Sequence, residues 1–408
     1  MTRRVVVTGM AGITPLGLDW PTIREAFRAG RTGIRRMESW ERYHGINTRL
    51  AAPVPDLDLE GRYPRKKLRT MGPVARMAVR ATEMALGSAG LAGDPVLRSG
   101  RTGIAYGSSY GSPGPVAAFA ELMTEGSSRN ITATSYIQMM SHTAAVNIGL
   151  FFEVTGRIIP TSSACTSGSQ AIGYAYEAIR YGMQDVMIAG GAEELDATQA
   201  AVFDTLYATS VRNDAPDANP RPFDRDRDGL VIGEGAGTLV LEERGRAIAR
   251  GAAILAEVVG FGTNSDGHHA TQPNMPTMAA ALRAALDDAA LPPAAIGFVS
   301  GHGTATDWGD VAEAEATRQV LGPRVPIHSL KGHFGHTLGA CGAIEAWLAI
   351  EMMNEESFAP TANLENVDPR CGELDFVMGA PRRLAIEHLM SNNFAFGGIN
   401  TSLIFRRT

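Results

Sequence analysis

The chain has 408 residues, a formal net charge of −6, 44% hydrophobic and 20% charged residues, a composition of soluble globular proteins with length for two or three domain-sized units. The acidic balance argues against nucleic-acid binding as the main task, and no stretch approaches the roughly 18 uninterrupted apolar residues of a membrane span. Three cysteines, Cys165, Cys341 and Cys371, give neither a paired framework nor a CxxC motif, so disulfides and zinc are not expected; without a secretory signal pattern at the start, a reducing, cytoplasmic setting is expected.

Val5 to Thr8 reads as a buried strand, followed by a loop from Gly9 to Gly17 and a helix from about Trp20. The run Arg65, Lys66, Lys67, Leu68, Arg69 is a local positive patch on an acidic chain, either a solvated helix face or a docking surface. Val74, Met77, Ala78, Ala81, Met84 and Ala85 recur at helical spacing and predict a helix near residues 73 to 86. A strand at Gly103 to Gly107 comes next, and the apolar segment Ser135 to Phe152 reads as one core helix.

From Gly156 a β-branched strand ends in small residues around Cys165, and a helix pattern then runs to about Gly182. This is the layout of a nucleophile elbow, in which the free N–H groups and the dipole of the following helix would stabilise a thiolate and lower its pKa. Taken alone, a free cysteine is more often a small buried hydrophobe. A strand from Val186 to Ala189 follows, ending in Gly190, Gly191, Ala192 and Glu193.

A second series then repeats the order. Ala253 to Gly260 is strand-like, residues 277 to 290 form an Ala-rich helix, and Ile296 to Ser300 and Val325 to Ser329 are strands. A helix spans Leu338 to Met353, and strands at His388 to Asn392 and Thr401 to Phe405 close the chain. Strands alternating with helices predict an α/β architecture with largely parallel sheets. Two related halves, 1–250 and 251–408, are expected to share a large interface, since no Pro- or Ser-rich linker separates them.

Four segments stand at the ends of strands: the Cys165 elbow, Gly301 to Thr306 with His302, Lys331 to Ala340 with His336, and Asn393 to Gly398. Ligands in open α/β sheets bind beyond the carboxyl ends of the strands, so these segments can converge despite their separation. One glycine-flanked histidine is ordinarily a turn residue. A cysteine meeting two histidines is a catalytic hypothesis.

With Arg221 to Gly229 and Gly233 to Gly237, these motifs resemble, over essentially the whole chain, the β-ketoacyl-acyl-carrier-protein synthases of the elongating type, condensing enzymes with a thiolase-like fold. The resemblance implies a five-layer αβαβα arrangement and a Cys165–His302–His336 centre for decarboxylative condensation. Cys165 would accept an acyl chain from a carrier-protein thioester. Two neutral imidazoles would donate to the malonyl thioester oxygen as CO2 leaves. The backbone N–H groups of Cys165 and Phe396 would form an oxyanion hole, with Phe394 and Phe396 as an aromatic gate.

Lys331 resembles the family's active-site lysine, with Asp310, Glu313 and Glu345 as a supporting network that orients the histidines or is simply a structural ion-pair cluster. Thr304, Thr306 and Thr271 resemble residues that contact the phosphopantetheine arm, whose amides suit hydroxyls. Ile137, Met139, Met140 and Phe203 read as an acyl pocket or as plain core. Arg65, Lys66, Lys67 and Arg69 gain a candidate partner in an acidic acyl carrier protein. No cofactor or metal is implied, and a homodimer, or a heterodimer with a related subunit, is expected.

Ala395 and Ile399 depart from the family's usual glycine and threonine. A thiolase would carry a second cysteine near the C-terminal glycine loop, and an initiating synthase an asparagine where His336 stands. A catalytically silent chain-length-factor-like subunit lacks the nucleophile, so Cys165 argues against that reading.

Overall fold

Val5, Val6 and Val7 are buried on both faces, which is why an uninterrupted β-branched run serves here where an amphipathic strand would alternate. In the computed structural model, which describes residues 2–57 and 59–408, this run opens β1 (Val5–Ile13). The strand is longer than expected because Gly9 and Gly12 belong to it. A Cβ on Gly9 would sit 2.3 Å from the Ala85 carbonyl oxygen, and one on Gly12 2.5 Å from the Trp347 ring. These glycines admit close helix packing on the sheet; they do not make a turn.

The first half continues through α1 (Trp20–Arg28), α2 (Pro73–Ser88), β2 (Thr102–Gly107), α3 (Val116–Glu125), α4 (Ala133–Met139), α5 (Thr143–Phe152), β3 (Ile158–Thr161), α6 (Ser167–Arg180), β4 (Val186–Glu193), α7 (Ala197–Asp204) and β5 (Gly235–Glu243). The second half comprises β6 (Ala256–Ser265), α8 (Met275–Ala289), β7 (Ile296–Ser300), α9 (Asp307–Leu321), β8 (Pro326–His328), α10 (Cys341–Asn354), β9 (His388–Ala395) and β10 (Ile399–Arg406). The expected single helix from Ser135 to Phe152 is two helices, broken where Met140 turns extended at ψ 141°. α5 buries Ala144, Ala145 and Ile148, whereas α4 buries nothing.

Strand order in the first half is β3-β2-β4-β5-β1, with β3, β2 and β4 parallel and β5 antiparallel to both its neighbours. In the second it is β8-β7-β9-β10-β6, with β8, β7 and β9 parallel and β10 antiparallel to both neighbours. Both orders run third, second, fourth, fifth, first, so the halves repeat one topology without a visible sequence repeat. The sheets are therefore mixed, where largely parallel ones were expected. The halves meet edge to edge where Val5–Val7 of β1 pairs with Ala256–Val258 of β6.

α2 and α5 cover the outer face of the first sheet, and α8, with α9 beside it, covers that of the second. Between the sheets lie α6 and α10, each touching strands of both halves. α10 is buried at every residue from Cys341 to Ile350, and its apolar circumference is that of a helix with protein on all sides. The result is the five-layer αβαβα stack, and it brings the segments preceding α6 and α10 together. No helix among the described residues is long and apolar enough to cross a membrane.

Candidate active site

The elbow is built by hydroxyls. After β3, Thr166 Oγ1 donates to the Ser163 carbonyl at 2.7 Å, Ser167 Oγ donates to the Ala164 carbonyl at 2.7 Å and accepts from the Ser163 N–H at 3.0 Å, and Thr161 Oγ1 donates to the Ser167 carbonyl at 2.8 Å. Such local bonds let Ser and Thr satisfy a tight turn. Ala164 is held at φ +49°, a left-handed conformation costly for a residue with a Cβ and characteristic of functional turns. Cys165 follows, 4% exposed, immediately ahead of α6.

His336 comes from the segment ahead of α10. Its Nε2 lies 3.0 Å from Cys165 Sγ, and its Nδ1 accepts the Leu338 N–H at 3.2 Å, so the ring proton resides on Nε2. His302, after β7, has its Nδ1 3.1 Å from Lys331 Nζ and 3.3 Å from Asn393 Nδ2. Both of those groups are donors, which again places the proton on Nε2. The two rings stand perpendicular, with centroids 5.1 Å apart. One atom from each of Cys165, His302 and His336 lies within 4.8 Å of the others, and with both Nδ1 lone pairs engaged the imidazoles are set to donate.

Burial, then the Lys331 charge, holds the pKa of both histidines well below 6.5, with His336 adding to the effect on His302. Both rings are thus neutral at and above neutral pH. Malonyl decarboxylation is accordingly expected to show no inflection between about pH 6 and 8, measured as CO2 release; a step near 6.5 would contradict neutral donors.

Burial pushes the Cys165 thiol up to about 11, against the Lys331 charge and the N–H groups of Phe396 and Cys165. This corrects the expected depressed pKa. Desolvation of the buried anion outweighs the groups that favour it. The same two N–H groups point at the sulfur, the pair expected to form an oxyanion hole.

Lys331 is fully buried and paired with the buried carboxylate of Glu345, which also accepts from Asn393 Nδ2 at 2.7 Å. Burial opposes the Lys331 charge, but Glu345, with Cys341 and Glu313, favours it and the pKa is raised. Both Glu313 and Asp310 also bond directly to backbone. Glu313 accepts the N–H groups of His302 and Gly303, each at 2.6 Å, and Asp310 those of Phe223, Thr304 and Ala305 at 2.6, 2.9 and 3.1 Å. They hold the backbone that carries His302. The Arg221 to Gly229 segment serves the same loop, since the Arg227 side chain, 1% exposed, reaches the Thr306 carbonyl at 3.1 Å and Asp368 at 2.7 Å.

Sequence reasoning assigned no role to Asn393, Glu193 or Cys341. In the sequence, the one signal for Asn393 is its place at the head of the strand-end segment that runs to Gly398. Glu193, at the end of β4, accepts from the N–H groups of Ser109 and Gly339 at 2.8 and 3.0 Å and so ties the first sheet to the turn before α10. Cys341 Sγ donates to the Cys165 carbonyl at 3.2 Å.

A cavity of about 780 Å³ opens over these groups, lined by Cys165, His302, His336, Thr271, Thr304, Thr306, Phe203, Phe394 and Phe396 among others. Thr304 and Thr306 share a hydroxyl contact of 2.9 Å. Phe396 packs on Phe203 with centroids 5.1 Å apart, and Phe394 stands edge-on to His302 at 6.2 Å. Ala395 and Ile399 are the last ladder pair of the β9–β10 hairpin, while Gly397 and Gly398 take the positive φ values, so the two departures from the family pattern fall on backbone that any side chain accepts.

Ile137, Met139 and Met140 do not line the cavity; they lie half-buried on α4 and its end. Of the expected acyl-pocket residues, Phe203 alone lines this cavity. Arg65, Lys66, Lys67 and Arg69 are exposed and also off the cavity wall, on and just after the short helix Arg65–Leu68. Lys67 Nζ donates to the Phe151 carbonyl at 3.1 Å and lies 4.3 Å from that ring's centroid.

Residues 2–247 match the beta-ketoacyl synthase N-terminal domain, and residues 255–365 its C-terminal domain. The chain belongs to the β-ketoacyl synthase family. This synthase is 37% identical to a 3-oxoacyl-[acyl-carrier-protein] synthase 2 of Vibrio cholerae, across 99% of both chains. It is 59% identical, with a TM-score of 0.98 and full coverage of both chains, to a beta-ketoacyl synthase structure from Burkholderia phymatum. The structure titled the ishigamide ketosynthase/chain length factor matches at 31% identity and a TM-score of 0.91, again over all of both chains. Relatives and topology agree on the thiolase-like fold and on a condensing acyltransferase.

Proposed function

We propose that this synthase makes 3-oxoacyl thioesters by decarboxylative condensation on acyl carrier protein, elongating fatty acids or a related polyketide or polyene. The observation that carries the reading is the Cys165 sulfur 3.0 Å from His336 Nε2, beside a second buried, neutral histidine, at the base of one cavity.

In the first half-reaction the Cys165 sulfur attacks the acyl thioester, a new C–S bond forms, and the carrier's thiol leaves with the proton that Cys165 gives up. Charge on the attacked oxygen falls to the N–H groups of Cys165 and Phe396. In the second, the malonyl C–C bond breaks, CO2 departs, and its electron pair remains as an enolate whose oxygen accepts from the Nε2–H groups of His302 and His336. Their neutrality matters, since the protein must stabilise charge that appears only in the transition state. The enolate carbon then attacks the Cys165 thioester, the C–S bond breaks, and the Cys165 thiolate that leaves takes up a proton from solvent. Lys331 holds His302 in the donating tautomer. No step calls on a cofactor, because both substrates arrive as thioesters on the carrier's phosphopantetheine arm.

One structural relative is titled as a type II acyl-carrier protein in complex with its ketosynthase, which supports the same partner here, with Arg65, Lys66, Lys67 and Arg69 as its steering patch. A second copy of this chain, or a related subunit, is the proposed neighbour of the exposed apolar side chains Met123 of α3, Tyr136 of α4, Leu150 of α5 and Ile158 of edge strand β3. Three free cysteines fit a cytoplasmic setting.

The test is intact-protein mass spectrometry after incubation with a panel of acyl-carrier proteins, followed by malonyl-carrier protein. The expected record is an acyl adduct on Cys165 that disappears as 3-oxoacyl-carrier protein forms. Absence of any adduct across the panel would refute the reading.

A further inference from the structure

Two of the most exposed large apolar side chains, Tyr207 at 89% and Trp308 at 67%, both line the cavity that holds Cys165. They come from opposite halves of the chain. Tyr207 sits in the turn after α7, in the left-handed region at φ +53°, its N–H bonded to the Asp204 carbonyl at 3.0 Å. Trp308 is the second residue of α9, with the Arg370 guanidinium 6.0 Å from its ring centroid. Arg370 is itself fixed by Asp307 at 2.5 Å and Asp368 at 2.7 Å. A fixed turn and a fixed cation thus present two rings at the rim, and ordered aromatic surface left in water at the mouth of a site is the mark of a binding position.

We infer that Tyr207 and Trp308 grip the outer, dimethyl-bearing part of the pantetheine arm and so set the affinity for carrier-borne substrates. The inference rests on the condensation reading above. Position fixes the occupant: any thioester that reaches Cys165 enters through this cavity. The threonine pair Thr304 and Thr306, also on its wall, suits the arm's amides, and the apolar rim suits its branched carbons. Contacts made equally by substrate and transition state lower KM without raising kcat.

The test compares Tyr207→Ala, Trp308→Ala and Trp308→Phe with the wild type on three acyl donors: acyl-carrier protein, acyl-pantetheine, and an acyl N-acetylcysteamine thioester that lacks the dimethyl segment. Both alanine variants are expected to raise KM about tenfold for the first two donors with kcat unchanged. Trp308→Phe should recover most of the loss, and the N-acetylcysteamine thioester should show no change. Loss confined to the carrier-protein donor would place the rings against the protein body and overturn the inference, as would equal loss with all three donors or no loss at all. A wild type that condenses none of them would instead defeat the parent reading.

Discussion

Cys165→Ala is expected to give no acyl-enzyme and no 3-oxoacyl product, a fall in condensation of at least about 10³-fold. Cys165 is the one cysteine among the described residues lining the cavity, beside both histidines, and alanine supplies no atom that can hold the chain. The fold should survive. The substitution removes one buried atom at a cost of about 1 kcal/mol, and the elbow is held by the hydroxyls of Thr161, Thr166 and Ser167, not by the thiol. Malonyl decarboxylation should persist within about tenfold, because the tautomers of His302 and His336 are set by Lys331, Asn393 and the Leu338 N–H. Product formation by the variant would sink the covalent mechanism. Loss of decarboxylation together with condensation would show that the sulfur also serves the histidines.

For His336→Ala the expected result is a fall in malonyl decarboxylation of about 10²- to 10³-fold, the usual effect of deleting one oxyanion donor. Self-acylation of Cys165 should fall less, by about tenfold at most, since the N–H groups of Cys165 and Phe396 still face the reacting centre. His336→Gln keeps a terminal N–H and should recover part of the loss. Separate measurements, CO2 release for one half-reaction and adduct mass for the other, distinguish the effects. Equal losses in both would mean that His336 acts on the thiol and not on the enolate.

Much of the centre was readable because each part carries local chemistry. The small-residue cluster around Cys165, the glycines flanking His302 and His336, and Asn393 to Gly398 all announce strand ends, and in the folded chain they meet. Their neighbours were harder to read. Asp310 and Glu313 were expected beside Lys331 in a network that orients the histidines, and they reach His302 through the backbone N–H groups of its loop, partners that no sequence pattern displays. Gly9 and Gly12 looked like a loop, because a glycine required by a close helix is indistinguishable in sequence from one required by a turn. The thiol's pKa follows the same logic: the helix start is local, but the burial that raises the pKa comes from residues far along the chain.

By itself the sequence determined the alternation of strands and helices, the two series, the nucleophile and both histidines, because these depend on periodicity, turn chemistry and residue type within a few positions. Only the tertiary structure decided that the sheets are mixed, that β1 and β6 join the halves, and that Ile137, Met139 and Met140 stand off the cavity. It also decided which nitrogen of each histidine carries its proton. Those properties rest on pairing direction, helix packing and hydrogen bonds between residues as far apart as Cys165 and His336, and their energies exist only once the chain has brought the partners together.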